Sequence, residues 1–232
     1  MFHFALARTP IELAPYVALA VCTACATAVR SDNPHNLLTA LGLVLTSWQY
    51  SASPVRGKEH AVLDCLLNGF AVDMLYHAGY TAGGGWINSP SARLRGRTLG
   101  LCAAGLYALG TVANLDVDAS AGWSTTATVL GPQAALGFAA YCYLMAARHL
   151  RSRFSLVGAV YFLGGFLIPL ASFFEFQPPA AAFDTMAWWT VEMAEWWLTS
   201  KAMHWIFGES LESVFCRIFA SHPRMPPSPA EQ

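Results

Sequence analysis

Charge is what this sequence has least of: 12% of its 232 residues are Asp, Glu, Lys or Arg, against about 25% in a typical soluble domain. Half that density leaves too little polar surface to cover a water-facing globule. Neither sign is in excess, with 13 basic residues, 14 acidic residues and a formal net charge of -1. Intrinsic disorder and a basic nucleic-acid-binding surface both depend on abundant or unbalanced charge, so both are excluded. Several catalytic signatures are missing as well. Six cysteines occur without a pair of C-x-x-C motifs, which excludes a zinc module and a dense disulfide framework. The histidines are scattered, with no H-x-x-x-H or H-E-x-x-H spacing. There is no Walker loop, and no serine has G-x-S-x-G context. Metal-hydrolase, nucleotide-binding and serine-hydrolase readings therefore fall away, and no metal or other cofactor is expected.

What the chain has in place of charge is apolar length. Hydrophobic residues make up 55% of the sequence, and the mean hydropathy is +0.41. A transmembrane helix needs about 20 mostly apolar residues. Seven stretches qualify, at about 11–30, 36–55, 61–82, 98–115, 122–147, 155–176 and 183–207. The separators carry turn chemistry: Ser31-Asp32-Asn33-Pro34, Gly83-Gly84-Gly85, Asp116-Val117-Asp118 and Pro178-Pro179. Each run is too long and too irregular for a barrel strand. The expectation is an all-α integral membrane protein, a single seven-transmembrane-helix bundle over residues 1–220 with a disordered tail at 221–232.

The basic residues orient that bundle. With the N-terminus outside, nine arginines fall on inner segments: Arg30, Arg93, Arg95, Arg97, Arg148, Arg151, Arg153, Arg217 and Arg224. Three basic residues fall outside, Arg8, Arg56 and Lys58. Positive charge collects on the inner side of membranes, so the bias predicts an N-out, C-in topology. A cleaved signal in residues 1–28, with Ala26-Thr27-Ala28 resembling its cleavage site, is the competing reading and leaves six spans.

Acids at bilayer depth are costly and mark function by default. Glu12, Glu175 and Asp184 lie at span ends and Asp64 one turn inside, where interfacial solvation accounts for them. Asp73, Glu192 and Glu195 lie deep. Asp73 and His77 are four residues apart, on one helix face, as a polar interhelical pair or a catalytic one. Glu192 and Glu195 are three apart, and two carboxylates that close in an apolar medium do not both ionise readily, which makes one a proton donor. Five of the eight tryptophans lie in the same span. Trp196 and Trp197 sit too deep to be interfacial anchors, and serve either helix packing or as π-faces for a cation.

The order of motifs resembles the membrane-bound terpene cyclases, the family of pyripyropene-type meroterpenoid and paxilline-type indole-diterpene cyclases. Trp48-Gln49-Tyr50-Ser51 with Pro54 is similar to the signature ending that family's second helix. Asp73, Tyr76, Trp86, Ser89 and Pro90 are similar to its third helix and following loop, and Gln133 and the arginine-rich turn at 148–153 also fit. The resemblance runs over about residues 40–206. It implies an enzyme of lyase or isomerase type that protonates an epoxide or olefin of a lipophilic prenylated substrate and closes rings through carbocations, in terpenoid biosynthesis. Gln49 stands where the family has an acid, and an amide cannot deliver a proton. The implied donors are therefore Glu195, preferred over Glu192, or Asp73. Gln49, Trp48, Tyr76, His77, Trp196 and Trp197 would contact substrate. The alternatives are a non-enzymatic seven-helix binder or transporter of a lipophilic molecule, and another bilayer enzyme such as a lipid hydrolase or isomerase. The expected partners are a lipophilic small molecule and membrane lipid, with no nucleic acid and no obligate protein partner. The expected location is multi-pass in the endoplasmic reticulum of a eukaryote or the cytoplasmic membrane of a bacterium.

Overall fold

The computed structural model describes residues 10–31, 33–52, 54–150, 156–208 and 213. The expected tail at 221–232 lies outside these residues. The described chain is helical throughout, with no strand. Its elements are α1 (Pro10–Arg30), α2 (Pro34–Ser51), a 3-10 turn (Gly57–Glu59), α3 (Leu63–Ala82), α4 (Pro90–Ala113), α5 (Leu115–Ser120), α6 (Thr126–Leu130), α7 (Pro132–Leu150), α8 (Leu156–Phe173) and α9 (Ala181–Phe207).

Prolines open α2 and α4, and an amide cap adds to the start of α2. Pro34 and Pro90 occupy first-turn positions, where the missing N–H costs nothing. Asn33 caps α2 by accepting from the His35 amide at 3.1 Å, and its Nδ2 donates to the carbonyls of Thr81 and Gly85 at 3.0 and 2.7 Å. One side chain thus ties the α1–α2 turn to the end of α3. Threonines inside the helices are satisfied by their own backbone: Thr46, Thr98, Thr185 and Thr190 each donate to the carbonyl four residues back.

The expected span at 122–147 is not one helix. The expected loop after residue 115 is largely helical, with α5 over Leu115–Ser120, and α6 follows before the chain turns at Gly131. Gly131 has φ 86, a left-handed value that a side chain would strain, and this breaks α6 from α7. α4 begins at Pro90, ahead of the expected start at 98. Three arginines therefore extend the helix beyond its apolar stretch.

α4 is the central helix, packed on α3, α7 and α9. Small residues allow its close approach: a Cβ on Gly69 of α3 would meet the Gly100 carbonyl oxygen and the Ala104 methyl. Backbones this near each other are the usual mode of helix association in lipid. The core holds Cys65, Ala108, Leu109, Leu136, Tyr143 and Met186. Many large apolar side chains face outward instead, among them Leu45, Leu75, Leu163 and Trp205. A surface of that kind suits hydrocarbon rather than water. Among the described residues, α8 is the one helix whose length and composition pass a strict test for crossing a membrane.

Candidate functional site

Polar residues gather at the end of the bundle where α3 begins and α4 ends. They ring a cavity of about 570 Å³. Lys58 comes from the 3-10 turn, Asn68 from α3, Tyr107 and Asn114 from the end of α4, Asp118 from α5, and Trp123 and Thr125 from the turn into α6. Val72, Ala103 and Leu106 supply apolar wall nearer the middle of the bundle, and Phe183 adds an apolar ring from the start of α9. Ala103 and Asn114 are eleven residues apart on one helix, so the cavity runs roughly 16 Å along α4. It has a polar mouth and an apolar depth, the shape of a site for a chain with a polar head.

The mouth is held together locally. Asp118 is buried, and its Oδ2 accepts from the Thr125 hydroxyl at 3.3 Å. Burial pushes the Asp118 carboxyl above the usual carboxylate range, and the Thr125 hydrogen bond partly opposes this. The Trp123 amide donates back to the Asp118 carbonyl at 2.9 Å, closing the turn. Lys58 Nζ lies 5.5 Å from the centre of the Trp123 ring. Across the cavity, the Tyr50 hydroxyl donates to that of Tyr107 at 2.7 Å, which joins α2 to α4.

Asp64 fixes the cap onto the bundle. Interfacial solvation was the expectation for it, yet it is fully buried. Its carboxylate accepts from the Thr126 amide at 2.8 Å, the Thr126 hydroxyl at 2.5 Å and the Cys65 amide at 2.7 Å. It therefore caps α6 and satisfies an amide of the first turn of α3 with a single side chain.

The residues singled out from the sequence are dispersed. Asp73 and His77 do share a face of α3, with Nε2 and Oδ1 3.3 Å apart. Gly96 of α4 lies against them, where a Cβ would strike the Asp73 carboxylate. Asp73 lines a separate cavity of about 250 Å³ with Arg97 and His149. Tyr76 and Trp197 line a third, of about 550 Å³, between α4, α8 and α9. Gln49 is half-buried and Trp48 is exposed at the end of α2. Glu192 is half-buried, while Glu195, Trp196 and Trp197 lie on the exposed side of α9. Lys201 Nζ stands 5.8 Å over the Trp197 ring. Neither glutamate lines any of these three cavities, and neither is brought to Asp73.

Sequence reasoning passed over Lys58, Asn68, Asn114, Asp118, Trp123 and Thr125. Asp116-Val117-Asp118 has the composition of a separator. Its signal of order lay just downstream, where Gly122 precedes Ser124-Thr125-Thr126, residues suited to capping rather than to a free loop.

The chain matches no family model. A stretch of 99 residues, 43% of this chain, is 36% identical to the lycopene elongase/hydratase of Halobacterium salinarum and spans 34% of that protein. A stretch of 117 residues is 33% identical to the lycopene elongase/hydratase of Haloarcula japonica, covering 48% of this chain and 38% of that one. The chain thus aligns with little more than a third of the length of these curated relatives. Among solved structures, it is similar to a UbiA homolog from Archaeoglobus fulgidus, with a TM-score of 0.55 and 19% identity over 79% of this chain and 67% of that one. The same homolog bound to GPP and Mg2+ gives a TM-score of 0.52 at 20% identity, over 79% and 67% of the two chains. These likenesses overturn the resemblance to membrane-bound terpene cyclases, and with it the lyase or isomerase reading. That resemblance rested on short matches such as Trp48 at a helix end, where tryptophan is common as an interfacial anchor whatever the fold. The fold of this chain is that of the UbiA homolog.

Proposed function

We propose that this chain is an integral membrane enzyme of prenyl transfer, acting on a lipophilic acceptor from the cavity between α3, α4 and α5. The observation that carries the reading is the position of a polar-mouthed, apolar-walled cavity in a UbiA-like fold. The UbiA homolog has been solved with GPP and with DMAPP, each with Mg2+. The names of the curated relatives add elongation and hydration of lycopene. Prenyl transfer from an allylic diphosphate breaks the C1–O bond, and its electron pair leaves with the diphosphate. A π pair of the acceptor forms the new C–C bond, and the cation left on the acceptor loses a proton or adds water. Here Val72, Leu106 and Phe183 would hold the prenyl chain and exclude water. The faces of Tyr107, Trp123 and Phe183 suit a developing cation. The seven long helices α1–α4 and α7–α9 cross the bilayer in this reading, with α5 and α6 capping one end. The arginine bias supports the N-out, C-in orientation.

The residues present do not fit a Mg2+ cage. Mg2+ demands near-octahedral oxygen ligation, commonly from one or two carboxylates together with substrate phosphates. The cavity has one carboxylate, Asp118, which is buried, bonded to Thr125 and accompanied by the Lys58 ammonium. Among the described residues, no three His, Cys, Asp or Glu side chains are grouped to hold a metal. This sparse set favours a second reading, a non-enzymatic binder of prenyl lipids.

Product analysis separates the two. The purified chain in lipid is incubated with GPP or DMAPP and lycopene, and the acceptor is examined by mass spectrometry. Acceptor enlarged by a prenyl unit supports transfer. Saturable binding without new product supports the binder. Neither binding nor product overturns both.

A further inference from the structure

The disagreement between fold and donor set has a positive side. A diphosphate needs its charge met by something, and the mouth of the cavity holds one strong cation, Lys58. The 3-10 turn that carries Lys58 is rigidly seated. Gly57 is buried, and a Cβ there would strike the side chain of Leu67 on α3. Glu59, the last residue of the turn, is paired with Arg56 just before it at 2.6 Å. Among the described residues Lys58 has no carboxylate ion-pair partner, and its ammonium lies over the Trp123 ring. Asn68 and Asn114 add neutral donors around the same mouth. The remaining charged group, Asp118, is buried and hydrogen-bonded.

We propose that Lys58 is the anchor for the anionic head of the prenyl ligand, so that this chain binds a prenyl diphosphate without a divalent cation. The inference rests on the prenyl reading above and deepens it. It makes the ammonium, a compact point charge with three donors, the group that neutralises the diphosphate. The amides of Asn68 and Asn114 donate to oxygens that the ammonium does not reach.

The test measures binding of GPP and of geraniol to the full chain in lipid nanodiscs, in EDTA and in Mg2+, with Lys58→Gln and Lys58→Arg beside the parent. The expected result is GPP affinity that is the same in EDTA and in Mg2+. Loss of one charge-assisted contact should weaken GPP by about 10- to 100-fold in Lys58→Gln, with recovery in Lys58→Arg and no change for geraniol. Matching thermal unfolding of Lys58→Gln and parent shows that the variant is folded. If that variant unfolds early, EDTA-insensitive binding by the parent, with ionic-strength dependence for GPP and none for geraniol, carries the test. GPP binding that requires Mg2+, or that is untouched by Lys58→Gln, overturns the inference while leaving the prenyl reading intact. Failure of both GPP and geraniol to bind overturns the prenyl reading and the inference together.

Discussion

Replacing Asp64 with alanine should loosen the cap from the bundle, and the cost follows from its three hydrogen bonds. The Thr126 amide, the Thr126 hydroxyl and the Cys65 amide all point at one fully buried carboxylate. Each buried donor left unsatisfied costs about 1–3 kcal/mol. The three losses are not independent, because two belong to one residue and can relax together. A total of about 3–5 kcal/mol is expected on that basis. For a chain of this size that lowers the melting temperature by roughly 10 °C. Asp64→Asn keeps one acceptor oxygen but turns an amide N–H toward a donor, so it should recover only part of the loss. Thermal unfolding in detergent gives the global number. Cys65 gives the local one, since its thiol is fully buried and 3.3 Å from the Thr126 hydroxyl. Alkylation by a maleimide should be slow in the parent and fast in Asp64→Ala. A double-mutant cycle with Thr126→Val should show a coupling of about 1 kcal/mol or more. An Asp64→Ala variant within about 0.5 kcal/mol of the parent, with Cys65 still protected, would refute the assignment of Asp64 as the staple of the cap.

Gly100→Leu should destabilise by about 1–3 kcal/mol or more through overpacking, because a Cβ there already meets the Gly69 carbonyl oxygen and the Asp73 Cβ; thermal unfolding reads it. Tyr107→Phe removes the acceptor of the Tyr50 hydroxyl and should cost about 0.5–1.5 kcal/mol, with Tyr50→Phe giving no further loss in its presence. Asp118 has its carboxyl raised by burial, so the folded state favours the neutral form. Its contribution is full below the ordinary carboxylate range and is lost as pH rises through that range to the raised folded value. Unfolding curves of parent and Asp118→Asn across that window should diverge as pH rises, with the parent losing relative stability; parallel curves contradict the burial argument.

Composition alone placed the chain correctly among helical proteins. At 12% charge the chain suits a membrane, and its apolar runs between turn residues are too long and too irregular for barrel strands, which leaves helices. The start of α2 was also readable, since Asn33-Pro34 is a local signal, whereas the start of α4 at Pro90 lay eight residues ahead of the expected apolar run. The pairing of Asp73 with His77 was legible for the same reason, four residues being one turn.

What lay beyond the sequence was any relation between helices. Asp64 and Thr126 are 62 residues apart, and Tyr50 and Tyr107 are 57 apart, so no periodicity joins them. An acid one turn inside a helix reads as solvated until another element covers it, and α6 covers Asp64. Two acids three apart on α9 read as a buried pair until the packing shows which face is turned inward, and Glu195 lies on the exposed one. Local chemistry along one helix is set by the chain and its 3.6-residue turn. Which faces meet, and hence which polar groups share a cavity, is set by the close crossing of α3 and α4 at Gly69 and Gly100 and by the cap that closes over them.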